Sequence, residues 1–253
     1  MRRVGRVDLS TFDDQLLDGL EFCKLVYEMF DQIKSSPDGL EQLRLLTTKD
    51  AKKLKEELIP IARYVQARYR EGRRIKVRWL SGSQPYDAVL WSFGDSIKNS
   101  PVSRRLFVEV TTSVHESEHL TRELLHKQGG SFGVLGTFRD KKTKAIISKA
   151  HAYNHSDIAP DLAAQIIDRL ERKRQKNYPS NTVLIVNCIT NGLTGEDEWN
   201  DAIALVKKAQ VHIFFREVFL LDMLLSNSAT FYGRQKRGWG GGPVVRQKRK
   251  TIP

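Results

Sequence analysis

The chain has 253 residues, of which 40% are hydrophobic, enough for one domain with an appendage and a substantial core. It has no apolar run long enough to span a bilayer. The basic and then polar segment from Met1 to Ser10 lacks the apolar stretch of a secretion signal, so a cytoplasmic protein is expected. The formal charge is +12, but seven Lys or Arg and no acid fall between Arg234 and Pro253, which leaves +5 for the rest. A surplus of this kind favours polyanions, nucleic acid first among them, and the simpler reading is a solubilising tail. Cys23 and Cys188 are far apart, each among apolar neighbours, so no disulfide framework is expected and both should be buried and inert.

In chain order, Thr11 to Lys34 reads as an amphipathic helix with Phe12, Leu16, Leu20, Tyr27 and Phe30 along its stripe, capped by Ser10 or Thr11. The cluster Ser35-Ser36-Pro37-Asp38-Gly39 ends it. A second helical region is expected from Thr48 to Tyr69, buried along Leu54, Leu58, Ile61 and Val65, with Pro60 imposing a kink or break near Ile59. Packing is the plain role for both helices, although Glu56, Glu57 or Glu71 could lend a carboxylate to the sheet that follows. From Arg74 to Leu80 the chain alternates strictly, and a turn through Pro85 leads to a second strand. Ser117 to Gln128 is predicted helical and stopped by Gly129-Gly130, and Phe132–Phe138 and Ala145–Ala150 are predicted strands. Asp157 to Tyr178 is a predicted helix with cations in its last turns. Thr182 to Ile189 is a near-continuous apolar run that suits a strand buried on both faces. Glu196 to Ala209 (helix) and Val211 to Leu221 (strand) follow, with Leu220 to Leu225 finishing the core. The expected division is 1–72, an N-terminal helical segment packed on the core; 73–232, an α/β core; and 233–253, a flexible basic Gly-rich tail.

The stretch from Pro85 to Thr112 carries the chemistry. Tyr86 to Phe93 is rich in aromatic and branched residues, with Asp87 near its start. In Leu106 to Thr111, Glu109 shares a face with Thr111. A polar gap from Gly94 to Ser103 would let the two strands pair as a hairpin, bringing Asp87 and Glu109 together as hard oxygen donors for a divalent cation. A carboxylate inside an apolar strand requires a cation or donors beside it. Without a metal, Arg104, Arg105 or a helix Arg would serve. His151 and His155 could suggest zinc, but no cysteine accompanies them, and surface histidines are the plainer reading. Gly129 to Gly133 lacks the Lys of a phosphate loop. Trp239, in the tail, could stack on a base.

Asp87 on one strand, Glu109-Val110-Thr111 on the next, and the helix pattern I-x-x-R-L-x-x-K-x-x-x-x-Y from Ile166 to Tyr178 before a buried strand resemble the PD-(D/E)XK, or restriction-endonuclease-like, nuclease superfamily over roughly residues 70–220. The resemblance implies an α/β fold with a mixed central sheet flanked by helices. It also implies a magnesium (or manganese) ion held by Asp87 and Glu109 with the Val110 carbonyl, and hydrolysis of phosphodiester bonds in DNA. The family places a Lys two residues after the strand acid. Thr111 stands there in this chain, and Thr cannot supply the charge. Lys173, Arg122, Gln128 and Gln165 are the candidates to replace it from a helix, Lys173 first. Nucleases of this type often act as dimers, so a homodimer is a further expectation. Two alternatives stand beside this reading. One is a nuclease-like fold that has lost the reaction and binds nucleic acid or protein. The other is a structural protein in which Glu109 merely pairs with an Arg.

Overall fold

The computed structural model describes residues 9–98, 104–152, 154–190, 194–224 and 226–233; the basic tail from Arg234, with Trp239, lies outside the described residues, as does most of the turn expected at 191–195. The first helix starts later than its periodicity suggests. Asp14 takes a left-handed backbone conformation (φ 64), which no helix tolerates. The chain then runs as a short edge strand, β1 (Leu16–Asp18), before α1 (Gly19–Lys34). Asp18 is the cap, not Ser10 or Thr11: its carboxylate accepts the Leu20 N–H at 2.9 Å. The predicted stripe is out of phase as a result. Leu16 and Leu20 are 52% and 53% exposed, while Phe22, Cys23, Val26, Met29 and Ile33 are buried. Strand pairing of β1 satisfied the backbone groups that local sequence alone would assign to a helix.

A short helix not expected from the sequence, α2 (Gly39–Leu45), precedes α3 (Lys49–Lys53), which Thr48 caps through the Ala51 N–H at 3.2 Å. The break expected at Pro60 is a π turn. Over Leu54–Leu58 the helix widens, the Ile59 N–H reaching back to the Leu54 carbonyl, and α4 (Ile59–Arg68) begins with Pro60 in its first turn. Pro60 has no N–H to give to the carbonyl four residues back, and the widened turn accommodates that loss. Leu54, Leu58, Ile61 and Val65 are fully buried, as their spacing predicts.

β2 (Arg74–Trp79), β3 (Ala88–Phe93) and β4 (Arg105–Ser113) form the expected antiparallel meander, with a one-turn helix, α5 (Asp95–Lys98), after β3. Gly94 joins them at φ +109, where a Cβ would lie 2.3 Å from the Gly72 carbonyl oxygen, so only glycine fits. After α6 (Glu118–Gln128), the strands expected over 132–138 and 145–150 contract to β5 (Thr137–Arg139) and β6 (Ile146–Ser148), a separate hairpin. α7 (Ile158–Arg174), β7 (Thr182–Cys188) and α8 (Glu196–Ala209) follow near their predicted bounds. The strand expected over 211–221 divides into a 3-10 turn and β8 (Glu217–Asp222). A further strand, β9 (Asn227–Tyr232), pairs on its outer edge, beyond the predicted end of the core.

The protein is a mixed α/β fold with an N-terminal helical segment. Seven strands lie in the order β1-β2-β3-β4-β7-β8-β9, with β4, β7 and β8 parallel and the other pairs antiparallel. One face is covered by the N-terminal helices, where Phe22, Val26, Leu58 and Val65 pack on Val77, Leu90, Val108 and Ile185. The other carries α7 and α8, where Leu162, Ile166, Trp199 and Ile203 pack on Leu184, Val186 and Leu220. None of this second core comes from β1 to β4, so that half of the sheet face has no helix on it. Inside the first core, Arg68 of α4 donates to Glu217 and, at 3.0 Å, to Thr230 Oγ1, its guanidinium lying over the rings of Tyr64 and Phe219. Both cysteines are buried and free, and burial pushes the Cys23 thiol up to about 12, which makes it unreactive. No helix among the described residues is long and apolar enough to cross a membrane.

Candidate active site

Asp87 and Glu109 meet where two strands part. Pairing of β3 with β4 ends at Ala88 opposite Val108, while β4 continues beside β7 as far as Ser113. Asp87, the next residue out, is pinned to β4 twice. Its N–H donates to the Val108 carbonyl at 2.7 Å and its Oδ2 accepts the Val110 N–H at 2.7 Å. Leu106, Val108 and Val110 belong to the first core, so alternation turns Phe107, Glu109 and Thr111 toward the α7 side. Glu109 is buried there, and its Oε1 accepts from Lys173 Nζ and, at 3.2 Å, from the Tyr178 hydroxyl.

Lys173 is in the last turn of α7, and Tyr178 lies in the connection to β7. The motif residues from Ile166 to Tyr178 therefore divide by spacing, with Ile166 and Leu170 buried in the core and Lys173 and Tyr178 on the carboxylate. Arg169, one turn before Lys173, has a buried Nε without a hydrogen-bond partner. Of the three acids that a preceding helix could add, Glu57 is the one within electrostatic reach of Asp87. It stands in the π turn and its Oε2 accepts the Trp79 indole N–H at 3.1 Å. Glu56 faces Lys52 at 3.9 Å, and Glu71 is exposed in the turn before β2.

Burial raises the Asp87 carboxyl to about 7. The charges of Glu109 and Glu57 push the same way, against the Val110 N–H and Lys173. Burial likewise raises Glu57, with the Trp79 N–H and Lys53 opposing and Glu56 and Glu109 adding to it. Burial, and then the Glu109 charge, raises the Tyr178 hydroxyl, which therefore stays a donor. The sign for stability follows. A folded-state value above the ordinary aspartate value means the native chain holds the extra proton, so this group's contribution worsens as pH rises from the ordinary value toward about 7. A bound cation would remove that penalty by favouring the ionised form.

Asp87 Oδ1 and Glu109 Oε2, the oxygens not taken by these donors, make no hydrogen bond with a described residue. Hard carboxylate oxygens of this kind, held on the sheet beside a third acid, fit magnesium or manganese rather than a softer metal. Among the described residues, however, no three His, Cys, Asp or Glu close on one point as a finished metal cage. Magnesium keeps several waters and does not require such a cage. Thr111, two residues after Glu109 on the same face, is buried and offers a hydroxyl where the resemblance has a Lys.

The other candidates are elsewhere. Arg122 pairs with Glu118 at 3.0 Å and Gln128 is exposed at the end of α6. Gln165, two turns before Lys173, lines a small polar cavity of about 40 Å3 with His115, Asp161 and Thr190. Arg104 and Arg105 are exposed, and it is Lys173 rather than either that pairs with Glu109. His155, 77% exposed, pairs with Glu198 at 2.7 Å, and His151 is exposed, so the zinc alternative gains nothing from the geometry. Tyr178 and Arg169 were quoted in the helix pattern without a role, and their spacing from Lys173 was the available signal. Comparison with protein-family models, with curated proteins and with solved structures brings no match.

Proposed function

We propose that the chain is a metal-dependent nuclease of the restriction-endonuclease-like type that hydrolyses phosphodiester bonds in DNA. The observation that carries this is the convergence of Asp87 and Glu109 from adjacent strands with Lys173 from α7, three residues distant in sequence. Asp87 and Glu109 would hold magnesium or manganese, with Glu57 in support. A divalent cation bound there supplies Lewis-acid stabilisation of the charge that develops on the phosphoryl group. Lys173 brings from the helix the positive charge that the family takes from the strand position of Thr111. In a site shielded by α7, that charge counts for more than it would in water. Tyr178 donates to the same Glu109 oxygen and so fixes the carboxylate's rotamer. Arg169 offers a second cation one turn away.

One observation favours a second reading, a nuclease-like fold without activity. Lys173 and Tyr178 both engage Glu109, as they would in a purely structural ion pair. Cleavage of plasmid and single-stranded DNA with magnesium or manganese, wild type against Glu109→Ala, separates the two. Cleavage by the wild type that the substitution abolishes is the expected result. Binding without cleavage by either chain would establish the inactive module, and equal cleavage by both would remove Asp87 and Glu109 from the site.

A further inference from the structure

We propose that the uncovered half of the sheet face is a track for single-stranded DNA leading into the Asp87–Glu109 site. Register defines what lies on this face, because residues directly opposite on neighbouring strands point the same way. One row runs Leu16, Arg78, Val89, Phe107, the next runs Asp18, Lys76, Trp91, Arg105, and Arg74 stands opposite Phe93 in the third. Glu109 is the next residue after Phe107 on the same side of β4.

Neither core covers these rows. Val89 is buried yet belongs to neither hydrophobic cluster, so its cover is the side chains of the face itself. Arg74, Lys76, Phe93 and Arg105 are exposed, and Arg78, Trp91 and Phe107 are half-buried. The flat groups form a continuous run. The Arg105 guanidinium lies 5.8 Å from the Trp91 ring centre and 4.8 Å from that of Phe107, and the Tyr86 ring stands 4.7 Å from Phe107, next to Asp87 in sequence.

Charge and shape together select the occupant. The three rows hold four cations against one acid, Asp18, which is spent on capping α1, while Asp14 pairs with Arg78 from the side. The surplus matches a phosphate chain. Bases in a duplex are stacked on each other and cannot use the rings, and a protein partner gains little from rings divided by cations. A single strand uses both, its bases stacking on Trp91, Phe93 and Phe107 and its phosphates meeting Arg74 and Lys76. The choice of DNA and of the track's destination rests on the nuclease reading; the binding itself does not.

The test is fluorescence anisotropy of a labelled oligothymidylate of about 20 nucleotides, which exceeds one such site. It is run on the full chain without divalent metal, so that cleavage plays no part. The doubly reversed chain Arg74→Glu, Lys76→Glu should bind at least ~10-fold more weakly, with the salt slope reduced by about two. Trp91→Ala should lose ~10-fold, and Phe93→Ala, whose ring is 47% exposed and whose loss leaves the cores intact, several-fold. A blunt duplex should bind more weakly and be indifferent to Trp91→Ala. Wild-type affinity in the charge-reversed and Phe93→Ala chains overturns the track, as does a duplex bound as tightly as the single strand. An oligouridylate bound more tightly than the oligothymidylate overturns the choice of DNA. Ring-dependent binding by a chain that cuts nothing sinks the nuclease reading alone; Glu109-dependent cutting with unaltered binding by the face variants sinks the track alone.

Discussion

Lys173→Ala should lower metal-dependent DNA cleavage by about 10²–10³-fold, the usual loss when a positioned charge stabiliser is removed from a shielded site. The same substitution should destabilise the metal-free protein. Lys173 and Glu109 are 16% and 9% exposed at their side chains, so removing the ammonium strands a buried carboxylate, at a cost of about 3–5 kcal/mol. The two effects can be separated. Lys173→Met with Glu109→Gln replaces both charges by neutral groups of similar size and should recover most of the lost stability while leaving the protein inactive. Single-turnover cleavage and a thermal melt of each variant check this. A Lys173→Ala chain that cuts at the wild-type rate would show that the charge next to Glu109 has no part in the reaction.

Arg68→Ala should unfold the protein more easily than any other single charge removal in the first core. Its guanidinium bridges α4 to β8 and β9 through Glu217 and Thr230 and lies over the rings of Tyr64 and Phe219. Truncation loses the stacking and leaves Glu217, 7% exposed, without its cation. The expected cost is about 3–5 kcal/mol, or roughly 10 °C in Tm for a chain of this size. Because α4 backs the strands that carry the site but Arg68 is not in it, cleavage at low temperature should persist. A urea or thermal melt within about 1 kcal/mol of wild type would mean that the pair contributes little.

Much of this arrangement was legible in the sequence wherever burial is set by strand or helix period alone. β2 alternates strictly and is half-covered. β7 is apolar throughout and buried on both faces, and the bounds of α8 follow from its periodicity. The approach of Asp87 to Glu109 was readable because a hairpin fixes register over a short span, and Lys173 because the cations of α7 collect in its last turn. What escaped depended on distant partners. β1 exists only because β2 offers it an edge, which cut the first helix short, and β9 exists because β8 does. Glu57 could not be chosen over Glu56 from sequence, since the π turn inserts a residue into the helical repeat and rotates the acids relative to the stripe below them. The open, cationic and aromatic half of the sheet became visible only with the register, because its members come from three strands.

Calorimetric titration of manganese into the wild type and into Asp87→Asn, at about pH 6 and about pH 8, bears most directly on whether these carboxylates form a metal site. The Asp87 carboxyl, raised to about 7, must lose its proton to bind, so affinity should climb ~10-fold per pH unit below that value and level off above it. The expected result is wild-type binding that strengthens with pH and is abolished by Asp87→Asn. Identical heats for the two chains, or no binding by the wild type at about pH 8, would contradict it.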